Sequence, residues 1–228
     1  MTVAIILARG GSKGLKNKNI INFCGRPLIT WTINNCFDAG IKHVYVSSDS
    51  KKILSISKKA GAECIIRPKV HAQDYSTSES AWLHALETIE SYGVKSEWII
   101  APQVTSPLRF ASDIRKASNL LKKTKYDSFF SGCLFEDLLI WHKQGKKLSS
   151  LNYDWKKRKR RQDFFSQYVE NGSFYMFKSK KFKRNGNRLC GKIGVIEMKP
   201  WQVFEIDSHD DMELAEILMK RFILKGKN

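Results

Sequence analysis

Over the first half of the chain, short apolar, β-prone runs alternate with longer runs patterned at helical spacing, and this alternation limits the available folds most. Strands are expected at 3–7, 43–47, 63–66 and 97–101, and helices at 27–39, 50–60, 76–91 and 110–123. Parallel strands need long crossovers, and right-handed helical crossovers give an α/β fold: a mostly parallel, twisted, Rossmann-like sheet with helices on both faces. Ligands of such sheets collect beyond the carboxyl ends of the strands, so chemistry is expected in the loops that follow strands. Pro27 at the start of one expected helix and Gly40 near its end follow the usual preferences of the two residues.

The pattern changes after about residue 127. Strand-like runs at Ser128–Leu134, Leu138–His142, Tyr168–Phe177 and Lys192–Met198 surround a polar stretch, 143–167, rich in Lys, Arg and Gln. That stretch reads as an insertion, an arm at about 135–170 within a single domain, 1–228. The chain closes with Asp207–Leu224, where Met212, Leu214, Ile217, Leu218 and Phe222 fall at helical spacing.

A net charge of +18 calls for an acidic partner without choosing among nucleic acid, an anionic membrane and small anionic substrates. No apolar run approaches the roughly 18 residues of a membrane span, and Met1 leads directly into Val3–Leu7 without a signal-peptide pattern, so a cytoplasmic location away from membranes is expected. The five cysteines are scattered without a CxxC pair, which argues for reduced thiols rather than a disulfide framework or zinc cluster. His43, His71, His84, His142 and His209 stand isolated from one another, and none is expected to be a nucleophile.

Directly after the first strand lies Ala8-Arg9-Gly10-Gly11-Ser12-Lys13-Gly14-Leu15-Lys16-Asn17-Lys18-Asn19, a loop with three glycines and four cations. Glycines let backbone N–H groups approach phosphate oxygens, Arg9 can grip an anion bidentately, and Lys13 and Lys18 act as point charges. The spacing is that of neither a Walker A loop nor a GxGxxG fingerprint. Near the other end, Glu205 and Asp207 alternate along an extended segment and so share a side, which suits Mg²⁺ or Mn²⁺ bound by one or two carboxylates plus phosphate oxygens. Asp207 or Ser208 as the cap of the last helix is an equally available role.

Ala8–Gly14 with Lys18-Asn19 and Gly25-Arg26-Pro27-Leu28 resembles the N-terminal signature of the acylneuraminate cytidylyltransferases, the CMP-sialic acid synthetases. Gln103-Val104-Thr105-Ser106-Pro107-Leu108-Arg109, Arg161-Gln162-Asp163, Asn171-Gly172-Ser173-Phe174-Tyr175 and Ile206-Asp207-Ser208 with Asp211 resemble later segments of that family in the same order. The resemblance implies an enzyme that moves CMP from CTP to a 2-keto sugar acid; relatives acting on octulosonates share part of the pattern. It implies catalytic roles for Arg9, Lys18 and Gln103, and a nucleotide site made by Ala8, Gly10, Gly11, Ser12, Lys13, Asn19 and Thr77. For the sugar it implies Gln103, Arg161, Asn171 and Tyr175, and for the metal Asp207, with Glu205 where the family usually has Asp. It also implies a homodimer whose arm crosses to the second subunit. Turn and capping roles stay open for Gln103 and for Asp74–Ser78, and Phe174 and Phe177 are expected in the core. The basic run Lys156–Arg161 keeps a non-catalytic nucleic-acid-binding protein as the more remote alternative.

Overall fold

The computed structural model describes residues 1–225 other than Lys13, Lys122 and Asp137, and of Arg161 the backbone alone. The chain begins with β1 (Thr2–Leu7), makes a small hairpin from β2 (Asn22–Phe23) and β3 (Arg26–Pro27), and enters α1 (Leu28–Asp38). Three strand–helix units follow: β4 (Val44–Ser48) with α2 (Lys51–Lys59), β5 (Glu63–Ile66) with α3 (Ser78–Ser91), and β6 (Trp98–Pro102) with α4 (Ala111–Leu121). The remainder comprises β7 (Ser128–Phe135), β8 (Trp141–Gln144), β9 (Lys147–Ser150), β10 (Gln167–Lys178), α5 (Ser179–Asn185), β11 (Ile193–Met198) and α6 (His209–Leu218).

Seven strands form one sheet in the order β11-β7-β10-β6-β1-β4-β5. The pairs β1–β4, β1–β6, β4–β5 and β7–β11 are parallel, while β10 runs antiparallel to both of its neighbours. The strands are apolar on both sides because helices cover both faces. In β1, Ala4 and Ile6 enter the larger core cluster, with Ile33 of α1 and Ile114 of α4, whereas Val3 and Ile5 enter the smaller one, with Trp82 and Leu86 of α3. The chain steps outward from β1 to β4 and β5, then returns to β6 on the other side of β1. That reversal opens a crevice at the carboxyl ends of β1, β4, β5 and β6.

Two expectations from the sequence are corrected. The run expected at 138–142 forms a strand only from Trp141, which pairs in a separate hairpin with β9, while Gln167 is already laddered to Phe135 in the main sheet. The excursion is therefore 136–166, because pairing with β7 satisfies the backbone of β10 from its first residue. In the closing helix, Ala215 and Met219 reach the core with Met212 and Leu218 beside them, while Leu214 and Ile217 are exposed. Beyond Leu218 the helix widens into a π turn, Met219–Ile223, and Phe222 stacks on Trp201 with centroids 4.7 Å apart.

Phe177 is fully buried, with ring centroids 5.7 Å from Trp82 and 4.7 Å from Phe182. Phe177→Ala is expected to lower unfolding free energy by about 3–5 kcal/mol in urea titrations. Ile217→Ala, on the exposed side of α6, should stay within about 0.5 kcal/mol of the parent.

Candidate active site

The loop after β1 is shaped by close approaches, one of which only glycine permits and one of which is tight for any larger residue. A Cβ on Gly14 would lie 2.6 Å from the Asp207 carbonyl oxygen, and one on Gly10 would lie 3.1 Å from Ser50 Cβ. The Ala8 N–H donates to Ser47 O at 3.1 Å, anchoring the loop's start beside β4. Asn17 takes a left-handed conformation at φ 56°, turning the chain into a short 3-10 segment, Lys18–Ile20, from which the buried Asn19 donates through Nδ2 to Arg9 O at 2.9 Å. Arg9, Ser12, Lys18 and Asn19 line a cleft of about 490 Å³; Ala8, Gly10 and Gly11 frame the loop without being among the lining residues. Lys13 lies outside the described residues.

Opposite charges meet across this cleft. Lys18 Nζ sits 2.6 Å from Asp207 Oδ1, the lysine side chain nearly buried and the carboxylate exposed. Arg9 Nη1 sits 2.8 Å from Asp74 Oδ1, and the Gly10 N–H donates to Asp49 Oδ1 at 2.9 Å. A third cation, absent from the reading of the sequence, is Arg67. It follows β5, lines the cleft, and donates through Nε to the Ser47 hydroxyl at 3.1 Å and through Nη2 to Ser47 O. Burial, then the nearby Arg9 charge, pulls the Arg67 guanidinium down to about 10 against the opposing effect of Asp49, so it stays charged at neutral pH. The signal available in the sequence was its place just beyond the carboxyl end of a parallel strand.

On the other side of β1, Gln103 follows β6 and lines the cleft with Thr105. Its loop is held from beneath by Arg109, which has no solvent exposure. The Arg109 guanidinium donates through Nε to the Ser173 hydroxyl at 3.0 Å and through Nη2 to the carbonyls of Gln103 and Ser106. The Gln103 N–H donates to Ser173 O at 3.0 Å, and the Ile206 N–H donates to Thr105 O at 2.8 Å. One buried cation thereby ties the glutamine loop to β10, and a backbone bond ties the acidic segment to the same loop.

The acidic pair is asymmetric. Asp207 lines the cleft, whereas Glu205 is half-buried behind it, against Ser106 and a backbone made close by Gly172, where a Cβ would lie 1.6 Å from Glu205 Oε1. Burial, then the like charge of Asp207, raises the Glu205 carboxyl above the ordinary range; Lys18, Arg109 and the Ser106 hydroxyl oppose this. A divalent cation between the two carboxylates would relieve that repulsion, so the donor set fits a hard ion. Among the described residues no three acidic, histidine or cysteine side chains gather into a cage, so such an ion would draw its other ligands from phosphate and water. Ser208, not Asp207, caps α6, in a reciprocal box with Asp211. Asp207 remains available to the cleft.

Thr77 has both of the roles read for it, since it lines the cleft and accepts at Oγ1 from the Ser80 N–H at 3.2 Å as the cap of α3. Asn171 does not reach the cleft. It is buried, accepting from the Ser131 hydroxyl at 2.6 Å and donating to Gln202 O at 3.2 Å, because a polar residue this deep in β10 must satisfy itself locally. Tyr175 is buried beside Trp82 and Arg188, its hydroxyl donating to Glu170 at 2.8 Å, and is not among the lining residues either. Of Arg161 only the backbone is described. His71 and His84, taken as isolated, come together at the cleft edge with centroids 5.3 Å apart.

Residues 3–227 match the family model described as cytidylyltransferase. The chain is 34% identical over 233 residues to N-acylneuraminate cytidylyltransferase A of Danio rerio, covering 99% of this chain and 52% of that protein, so it spans about half the length of that relative. It is 30% identical over 225 residues to pseudaminic acid cytidylyltransferase of Campylobacter jejuni, covering 96% of each. Among solved structures, CMP:2-keto-3-deoxy-manno-octonic acid synthetase complexed with CTP superposes with a TM-score of 0.69 at 14% identity, over 96% of this chain and 98% of that one. The 4-diphosphocytidyl-2C-methyl-D-erythritol synthase of Anaerococcus prevotii gives 0.64 at 13% identity, over 96% and 98%. These two likenesses establish the shared fold.

Because the Glu205 carboxyl is raised in the folded state, the fold binds its proton more tightly than the unfolded chain does, and its ionisation costs stability as pH climbs above the unfolded value of about 4.3. Without divalent metal, Glu205→Gln should therefore have a higher urea midpoint than the parent at pH 7.5, with the gap closing towards pH 4.

Proposed function

The chain belongs to the cytidylyltransferase family, and we propose that it transfers CMP from CTP to the anomeric hydroxyl of a nonulosonic acid of the sialic or pseudaminic type, releasing pyrophosphate. The observation that carries this reading is the convergence of Arg9, Lys18 and Arg67 with Asp207 in one cleft at the carboxyl ends of the parallel strands. Cations in that arrangement suit a triphosphate, and relatives matched over nearly the whole of this chain act, by their names, on N-acylneuraminic and pseudaminic acids.

In the proposed reaction the sugar hydroxyl oxygen forms a bond to the α-phosphorus as the bond to the bridging oxygen of the β-phosphate breaks, and the hydroxyl proton is released. Negative charge grows on the bridging oxygen and on the α-phosphate. Arg9 and Lys18, carried on a braced loop, stabilise it, while Gln103 positions the acceptor against the α-phosphate. Thr77 and Arg67 hold the nucleotide side of the cleft. A Mg²⁺ or Mn²⁺ ion bound by Asp207, with Glu205 behind it, would neutralise phosphate charge. Lys13 and the Arg161 side chain complete the reading as phosphate and sugar contacts respectively.

The 136–166 excursion extends this reading to a homodimer. It exposes Trp155, Phe165, Leu148 and Leu151 beside the basic run Lys156–Arg160, an apolar surface suited to a second copy of the chain. We place the reaction in the cytoplasm, in keeping with five free cysteines.

Purified protein with CTP, Mg²⁺ and a panel of nonulosonic and octulosonic acids should release pyrophosphate with a nonulosonic acid. Lys18→Ala should lower turnover by about 10²–10³-fold. Release with an octulosonate alone would move the acceptor to that class, and folded protein that neither reacts nor binds CTP would return the nucleic-acid reading.

A further inference from the structure

Among the described residues, three donors of the phosphate grip already have an anion of the same chain as partner. Arg9 is paired with Asp74, the Gly10 N–H with Asp49, and Lys18 with Asp207, at 2.8, 2.9 and 2.6 Å. The three carboxylates come from three different places, the loop before α3, the end of β4 and the segment before α6, and each meets the grip at hydrogen-bond distance. Asp207 has a metal to serve and Asp49 lies beside Arg67, but nothing in the transfer reaction calls for Asp74. It lines the cleft, its side chain is exposed and that of Arg9 partly so, and its carboxylate points at the guanidinium that should meet the triphosphate.

We propose that Asp74 is a positioning residue that stands in for phosphate on Arg9, so that CTP enters and pyrophosphate leaves by exchange against a carboxylate of the chain. The inference rests on the CTP reading of this cleft. Its physical basis is that Asp74 engages the Arg9 guanidinium through Nη1, so a phosphate that grips Arg9 through that nitrogen competes with the carboxylate for it. Holding Arg9 on Asp74 keeps the side chain extended across the cleft and lowers the net gain when a phosphate arrives. Phosphate binding is weaker for it, and the leaving pyrophosphate is released more readily, because Arg9 has a partner to return to. Removal of the charge by Asp74→Asn should therefore tighten anion binding, whereas Asp74→Glu, which keeps a carboxylate, should restore parent-like affinity.

The test is calorimetric titration, in the presence of EDTA, of CTP and of inorganic tripolyphosphate into the parent, Asp74→Asn, Asp74→Glu, Arg9→Ala and the Arg9→Ala/Asp74→Asn pair. The expected result is that Asp74→Asn lowers Kd for both ligands about three- to fivefold, the scale of one exposed ion pair, and that the gain shrinks to less than about twofold when Arg9 is absent. Pyrophosphate should become a correspondingly stronger product inhibitor of Asp74→Asn. Unchanged or weaker binding by Asp74→Asn overturns the proposal, as does an equal gain in the Arg9→Ala background, which would mean that Asp74 acts otherwise than through Arg9. A parent protein that bound neither CTP nor tripolyphosphate would overturn the nucleotide reading itself, and this inference with it.

Discussion

The arrangement of the cleft depends on a guanidinium that never touches solvent. Arg109 comes from the loop between β6 and α4 and turns back under its own chain, donating to the carbonyls of Gln103 and Ser106 and to the hydroxyl of Ser173. Burying a cation is costly where its donors go unmet, and burial pulls the group down to about 10, which leaves it charged at neutral pH. Its Nε and Nη2 donors are met by the glutamine loop and β10, whereas Nη1 is buried with no hydrogen-bond partner among the described residues. The segment carrying Glu205 joins this unit through the Ile206 N–H, which donates to Thr105 O. The loop sequence Thr105-Ser106-Pro107-Leu108-Arg109 is thus as much a device for holding backbone as a contact surface.

Around that fixed point the cleft is balanced rather than simply basic. Although the chain carries a net charge of +18, the cations facing the cleft are matched closely by Asp49, Asp74 and Asp207. Much of the surplus lies elsewhere, as in the exposed run Lys156–Arg160. Net charge therefore says little about this site. What matters is that backbone geometry, set by Gly10, Gly14 and Gly172, brings chain segments close enough for each charge to meet a specific opposite.

The fold was legible because alternation and helical spacing are local properties: the eight elements expected in the first half all form, within about two residues of their expected limits. That the loop after β1 borders a cleft was legible because glycine and cation density is also local. Arg67 was not, since a single arginine after Glu63–Ile66 looks like a surface residue until the Ser47 carbonyl of the adjacent strand is seen to receive it. Asn171 and Tyr175 were named only through the family resemblance, and their local partners could not be read from the sequence: Ser131 and Gln202 for the one, Glu170 for the other, are brought to β10 by the sheet and the chain around it. The stripe of α6 was read from apolar spacing alone, which cannot tell Leu214 from Ala215 when both lie near the boundary of the buried face.

If the crevice at the carboxyl ends of β1, β4, β5 and β6 is a CTP site whose phosphate end is the loop after β1, a crystal structure with CTP and Mg²⁺ will show triphosphate density against Arg9, the Gly10 N–H and Lys18, with the ion on Asp207 and the cytidine towards Arg67 and Thr77. Nucleotide density elsewhere on the chain, with Lys18 still paired to Asp207, would contradict it.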